Sequence, residues 1–341
     1  MTTTATLDAV LDQAFRPVAA ALAAGRIPGA ALGVIRADGT RATRHAGQAS
    51  LDTPTPDPIR PDTLFDLASL TKVLLTTPAI LRLVERGLVD LDDPLSAHLP
   101  DLRQYQPDHF VRSTTLRDCL AHRTALPAVE PIYTWASDPA TLKALVLQRD
   151  WPAGPPVYSD INFILLGLLL ERLDAPLATL LPPGFFASPG PERAAATEHC
   201  RWRDRVLRGE VHDENAAALG GLAGHAGLFG TADAVLDSAL AILQGTWLSP
   251  ASLDLMARPH RALPTPRALG WELPHEGWSG SALCSPGTIG HLGFTGTGLW
   301  IDRPRGLAWT LLTNRVHPSR HTDTGIASLR RSVSNIISAT A

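Results

Sequence analysis

The stretch "FDLASLTKVLLTTPAILRLVERG", Phe65 to Gly87, places a lysine inside an apolar run of a chain that otherwise avoids lysine. Of 30 Lys plus Arg residues, only Lys72 and Lys143 are lysines. Apolar spacing makes the stretch a helix that starts at or beside Ser69 and stops before Gly87, with Pro78 inside it as a point of kinking. Ser69 and Lys72 stand three apart at that start, so their side chains share one face and can meet. A serine hydroxyl is a weak nucleophile until a neighbouring base takes its proton. Arginine cannot be that base, because its pKa lies above about 12, whereas a lysine starting near about 10.4 can be pushed down by burial and neighbouring cations. The plainer alternative is a snorkelling surface lysine beside a helix-capping serine. Lys143 reads as solvated on a helix.

Outward from this stretch the chain divides into a helical middle and strands at both ends. Leu7 to Ala24 has helical spacing, and "PGAALGVIRADGTRATRHAG" reads as a hairpin turning at Asp38-Gly39. The Pro-rich "DTPTPDPIRP" is a loop. "TTLRDCLAHR", "DPATLKALVLQ" and "SDINFILLGLLLERL" each open with Thr, Asp or Ser at a helix N-cap position. Beyond the Gly-rich "GGLAGHAGLFG", helices are expected at Ala232 to Leu243 and Pro250 to Ala257. "IGHLGFTGTGLWID" and "GLAWTLLTN" read as two strands, followed by a last helix from about Thr324 to Ile337. No internal repeat is present. The architecture expected is α/β of the α+β kind: an antiparallel sheet flanked by helices, built from both chain ends (1–66 and 190–341), with a mostly helical region (67–189) inserted. A cleft between the two parts is the natural ligand site.

Composition excludes several classes. The 341 residues are 45% hydrophobic and 18% charged, enough for a substantial core, and a net charge of -3 offers no basic field for nucleic acid or anionic membrane. A small-molecule or short-peptide substrate fits better. The N-terminal "MTTTATLDAVLDQAF" lacks the features of a secretory signal, and the longest apolar run, "INFILLGLLL", is too short to insert in a membrane. A cytoplasmic location is therefore expected. Cys119, Cys200 and Cys284 match neither a disulfide framework nor a C-x-x-C metal site.

Three further segments carry candidate chemistry. Tyr158, in "PAGPPVYSDINFILLG", stands where a Pro/Gly loop meets a helix, so its phenol can enter a cleft and relay a proton; locally, Ser159 or Asp160 caps the helix and Tyr158 packs on it. In "GHLGFTGTGLWID" the interleaved glycines let a substrate backbone approach, the Phe294 amide after Gly293 can point at a developing oxyanion, and His291 adds a donor or titratable cation. A hydrogen-bonded strand histidine and a glycine bulge are the structural alternative. In "GEVHDENAAALGGLAGHAGLFG", His212, Asp213, Glu214 and His225 raise the question of a metal, but their spacing matches no compact ligand motif. A polar pocket loop containing Asp213 and His225, or an Ω-loop over the cleft, accounts for it better. No metal and no cofactor are expected.

Taken in order, Ser69-x-x-Lys72, Tyr158-Ser-Asp160 and His291-Leu-Gly293 resemble the three motifs of the serine β-lactamase and penicillin-binding protein superfamily, most closely its class C-like branch of esterases and peptidases. The resemblance runs nearly the whole chain, through "PGAALGVI", "TLRDCLAHRTALP", "LGWEL" and "LLTNRVHPSR". It implies Ser69 as acylated nucleophile, Lys72 as its activator, Tyr158 as proton shuttle, and the Ser69 and Phe294 amides as oxyanion hole. Asp160, Gly293 and Thr295 fall at substrate-contacting positions. Asp160 stands where the family usually has Asn, and His291-Leu292 replace the Lys-Thr of K-T-G, so a β-lactam carboxylate loses its cation and meets an aspartate. The Gly209 to Gly230 segment resembles a subgroup with D-alanyl carboxypeptidase-like proteins and muramoyl-L-alanine amidases. The expected activity is serine hydrolysis of an amide or ester, with muropeptide fragments the first substrate class and weak or no β-lactamase activity. A small-ester esterase and a catalytically silent penicillin-recognising protein are the alternatives. No G-x-S-x-G elbow of an α/β-hydrolase is present.

Overall fold

The computed structural model describes residues 6–260, 263 and 265–340. Its central sheet begins with the expected hairpin, β1 (Gly29–Arg36) and β2 (Arg41–Gly47), after helix α1 (Leu7–Ala23). β1 is the apolar run "GAALGVIR", buried along all but its last residue. A strand with both faces buried must be covered by a layer on each side. On one face α1 packs with the last helix, joining Val10, Leu11 and Val18 to Val333 and Ile337 over Trp300 and Trp309. On the other, Gly33 lies so close to Leu236 that a Cβ there would sit 2.7 Å from its Cδ1.

Between the sheet's two halves the chain runs through five short strands and a series of helices. β3 (Phe65–Asp66) leads into a π-helical turn, Lys72–Thr76, continued by α2 (Thr77–Glu85). The kink expected at Pro78 takes this form. Proline has no N–H for the α-helical ladder, and the wider turn precedes it, a device common at functional sites. α3 (Leu95–His98), α4 (Phe110–Ser113), α5 (Leu116–Leu120), α6 (Pro139–Gln148) and α7 (Asp160–Leu173) follow. Thr115 and Asp138 cap α5 and α6 through their side chains as expected. Ser159 does not cap α7: its hydroxyl donates to the Pro127 carbonyl (2.6 Å), and the His122 Nδ1 accepts its amide instead (3.0 Å).

β4 (Phe185–Phe186), the β5 (Ala196–Cys200) and β6 (Arg205–Arg208) hairpin, α8 (Glu214–Ala218) and β7 (Phe229–Gly230) were not foreseen. They are too short for a periodicity to show. β7 pairs with both β3 and β4, clamping the entry to the Ser69 turn. α9 (Ala232–Leu243) and α10 (Pro250–Met256) lie where expected. "IGHLGFTGTGLWID" is two strands rather than one: β8 (Thr288–Leu292) and β9 (Gly298–Asp302) turn at Gly293–Thr297, where Gly296 has φ +112°. β10 (Leu307–Thr313) and α11 (Ile326–Thr340) complete the chain. The sheet order β2-β1-β10-β9-β8 is antiparallel throughout, with Val34 facing Trp309 and Trp309 facing Trp300. The fold is thus an antiparallel sheet made by both chain ends, with helices on its faces and a helical stretch threaded between them.

Candidate active site

Ser69 sits in the turn between β3 and the π-helical segment, preceded by Ala68 at φ +47°. An alanine in the left-handed region is strained and must be held by its surroundings. Asp66 Oδ1 accepts the Ala68 amide (2.8 Å), and the Thr71 hydroxyl donates to the Ala68 carbonyl (2.7 Å). From the far end of the chain, Thr295 and Thr297 donate to the carbonyls of Asp66 (2.6 Å) and Leu67 (3.1 Å). Gly293 is needed here, because a Cβ would lie 2.5 Å from the Leu67 carbonyl oxygen. Among the described residues, no backbone carbonyl accepts from the Ser69 or Phe294 amide. Both remain free to donate to a developing oxyanion.

Lys72 is fully buried. Its Nζ donates to Ser69 Oγ (2.8 Å) and to the His225 carbonyl (3.2 Å), and lies 2.8 Å from Asp160 Oδ1. Two of the ammonium hydrogens go to those oxygens, and the Asp160 carboxylate balances the charge as an ion pair. Burial alone would push this lysine down, but the Asp160 carboxylate and the Tyr158 phenol outweigh it, and its pKa lies above 10.5. This corrects the expectation of a lysine lowered by burial and neighbouring cations. In the resting site Lys72 is a charged donor to Ser69, because the nearest titratable neighbour is an anion.

Tyr158 stands over this pair, its ring centre 5.1 Å from Lys72 Nζ, and is stacked on the buried His122 ring at 4.3 Å. Burial, with Arg267 and Lys72 nearby, pushes His122 well below 6.5. His291 is held neutral in the same way, by burial first and then by Arg267 and Lys72. Its Nδ1–H donates to the Leu292 carbonyl (2.9 Å), leaving Nε2 as a lone pair without a partner among the described residues. His291 therefore brings no cation to the site.

These groups open on a cavity of about 680 Å³. Ser69, Tyr158, Asp160, Asp213, His291, Gly293 and Phe294 line it, as do Arg267, Arg315, Arg320, Arg330 and Glu272. Thr295 differs from the expected substrate contact: it is buried and its hydroxyl is engaged on Asp66. Asp160 reaches the cavity but is committed to Lys72. His225 is buried, its Nε2–H on Asp213 Oδ1 (2.8 Å). Asp213 also accepts the Ala216 amide (2.8 Å) and so caps α8; although burial opposes it, His225 and this amide hold its carboxyl well below the ordinary value. His212 pairs instead with Glu198 (2.9 Å). Of the four residues of this segment only Asp213 and His225 pair with each other, while His212 pairs with Glu198 and Glu214 with Arg320, and among the described residues no group of three His, Cys, Asp or Glu side chains could hold a metal. The glycines also have an unexpected neighbour. A Cβ on Gly224 would collide with the Phe163 carbonyl of α7, so they admit a helix backbone as well as any ligand.

Sequence reasoning missed His122 and the four arginines. No local spacing marks them; only the fold brings them to Ser69.

An antiparallel sheet with inserted helices and a cavity-lining serine on a buried lysine under a tyrosine defines a class of serine-dependent hydrolases. The chain belongs to the Beta-lactamase family, whose pattern matches residues 11–330. It is similar to a protein of Bacillus subtilis (strain 168) named N-acetylmuramyl-L-alanine amidase, with 31% identity over 315 residues, 77% of this chain and 70% of the relative. A penicillin-binding protein homolog from Caulobacter crescentus has the same fold, at a TM-score of 0.73 and 17% identity, with 100% of this chain and 99% of the other covered. So does a beta-lactamase from Sulfitobacter sp. EE-36, at 0.73 and 21% identity, with coverage of 97% and 98%. The chain is an enzyme, a serine hydrolase of the β-lactamase-related family. Among the described residues no helix is long and apolar enough to cross a membrane.

Proposed function

We propose that the enzyme works through an acyl-enzyme on Ser69, cleaving an amide or ester bond in a peptidoglycan-derived muropeptide in the amidase or carboxypeptidase manner. The observation that carries this is the buried Lys72 ammonium 2.8 Å from Ser69 Oγ at the cavity floor. The amidase name borne by the Bacillus subtilis relative supports the substrate class. The cavity volume suits a small ligand.

In the resting site Lys72 has no lone pair to offer. Asp160, 2.8 Å away, is the acceptor at hand. As substrate displaces water, the ion pair loses solvation and a neutral amine and carboxylic acid become accessible. The amine then takes the Ser69 proton as Oγ bonds to the substrate carbonyl carbon, with the Ser69 and Phe294 amides on the oxyanion. Tyr158 passes a proton to the leaving nitrogen or oxygen as that bond breaks, and water reverses the sequence to release the acid. The three free thiols support a reducing, cytoplasmic setting.

The test is a fluorophosphonate label on Ser69 together with a panel of muropeptides set against simple esters. Ser69-dependent release of amine or peptide from a muropeptide is the expected result. Turnover of esters alone would make it an esterase, and an unlabelled Ser69 a silent binding protein.

A further inference from the structure

Arg330, on α11, carries a guanidinium into the turn between β8 and β9. Its helix neighbours Leu329, Val333 and Ile337 pack over the sheet. Arg330 is buried beside them, and its hydrogen bonds go to backbone rather than to a carboxylate: Nη2 donates to the carbonyls of Gly293 (3.0 Å) and Thr297 (2.8 Å). Nε has no acceptor among the described residues. Burial and then Arg315 pull its pKa down to about 9, which still leaves a cation at neutral pH. A buried cation served by neutral acceptors is costly to keep. What it touches gives the reason for keeping it.

The Gly293 carbonyl and the Phe294 amide are two ends of one conjugated peptide group. A hydrogen bond accepted at the oxygen draws charge from the N–H and strengthens it as a donor, by about 10–30% per bond. A charged donor acts roughly twice as strongly as a neutral one. The Gly296 amide adds a neutral bond to the same oxygen (3.1 Å). The peptide group of the Ser69 amide is built alike but without the charge: its carbonyl, that of Ala68, accepts the Thr71 hydroxyl (2.7 Å) and amide (3.0 Å). Arg315 cannot replace Arg330, because it donates to the Phe294 carbonyl, which belongs to the next peptide group along. The Gly293 amide also donates to the Thr297 carbonyl (2.9 Å), so Arg330 bridges both ends of the turn and fixes the plane of the Gly293–Phe294 peptide.

We propose that Arg330 is a positioning residue for catalysis, which orients and polarises the Gly293–Phe294 peptide and makes the Phe294 amide the stronger of the two oxyanion donors. The proposal rests on the acyl-enzyme reading, which puts that amide on the oxyanion.

The test is the infrared carbonyl band of the acyl-enzyme, isolated by 13C substitution. Wild type, Arg330→Met and Arg330→Gln are acylated with carbonyl-labelled 4-nitrophenyl pivalate, whose bulky acyl group slows hydrolysis. Hydrogen bonds from the oxyanion donors lower the frequency of this band. It is expected to rise in Arg330→Met, and to rise less in Arg330→Gln, which keeps a neutral donor. In Arg330→Met, kcat/KM for 4-nitrophenyl acetate should fall roughly 10-fold, a part of the about 10²–10³-fold lost when an oxyanion donor is removed outright. A residue that only braced the fold would lower Tm and leave the band of the folded acyl-enzyme in place. An unmoved band or an unchanged kcat/KM in either variant therefore overturns the assignment, and Arg330→Gln decides it if Arg330→Met does not fold. If wild type takes up neither the acyl group nor a fluorophosphonate at Ser69, the acyl-enzyme reading fails and the assignment falls with it. A wild-type acyl-enzyme whose band the variants leave unmoved defeats the assignment alone.

Discussion

Asp160→Asn is the most informative single change, because it removes the charge that offsets a fully buried ammonium. Burial then acts unopposed on Lys72. The variant must either hold an ammonium without a counter-ion or release the proton. Release sets an upper bound: from the ordinary lysine value of 10.5 down to pH 7, at about 1.4 kcal/mol per unit, it costs about 4.8 kcal/mol. Breaking a buried pair costs about 3–5 kcal/mol, and the partial exposure of Asp160 places this one near 3 kcal/mol. With an unfolding entropy of about 2.1 cal/mol/K per residue, that lowers Tm by about 4 °C in a chain of this length.

The pH dependence of this loss has a definite sign. In the wild type the folded pKa of Lys72 is raised, so the pair's contribution is complete below 10.5 and disappears as pH rises through the folded value. In Asp160→Asn the folded pKa is lowered by burial, so the penalty is largest at neutral pH and shrinks toward 10.5. At pH 9 the bound is about 2 kcal/mol. Urea denaturation of both proteins at pH 7, 8 and 9 should show the difference narrowing. A difference that stays constant across that range, or a variant as stable as wild type at pH 7, would refute Lys72 as a charged, Asp160-paired group.

Lys72→Arg keeps the charge but cannot yield a base, so turnover and fluorophosphonate labelling should fall about as far as in Ser69→Ala; near-normal turnover would sink the Ser-Lys unit. Nitrocefin should be turned over poorly, since His291 is neutral and Asp160 stands close by; a rate matching a dedicated β-lactamase would show that neither matters. Asp213→Ala should cost about 1–3 kcal/mol, from the lost α8 cap and the unpaired His225. Because the Asp213 pKa is depressed in the folded state, that loss is fully present above 3.8 and fades as pH falls below it. Thermal melts at pH 7, 5 and 3 that showed no such fading would remove the pair from the account.

What could be read from sequence follows the range of the physics involved. The hairpin at Asp38-Gly39, the Ser69 helix and α9 rest on local turn chemistry and periodicity, and each appears where spacing places it. The Ser69-Lys72 contact is likewise local, three residues on one helical face. Lys72's ionisation is not local, because its sign is set by Asp160, 88 residues later, which reaches it only once α7 packs on the Ser69 helix. His122 escapes a sequence reading for a related reason. It acts by accepting the Ser159 amide across 37 residues, while the Ser159 hydroxyl turns to Pro127 rather than capping α7. Arg267 is one arginine among many in the sequence, and only the fold brings it to the Tyr158 ring.

The third motif shows how a single stretch can be read for one task and perform another. Gly293 and Thr295 look like substrate contacts, since glycine admits a close backbone and threonine offers a hydroxyl. In the fold that close backbone is the chain's own, at Leu67, and the hydroxyl of Thr295 holds Asp66 from 229 residues away. Ala68 lies between those clamped positions and Ser69, in a conformation that costs about 1–2 kcal/mol on its own. The β8–β9 turn, which carries Phe294, thus helps to hold Ser69 in its strained turn. In the proposed mechanism both oxyanion donors adjoin this clamp, so loosening the turn is expected to displace Ser69 and the Phe294 amide together.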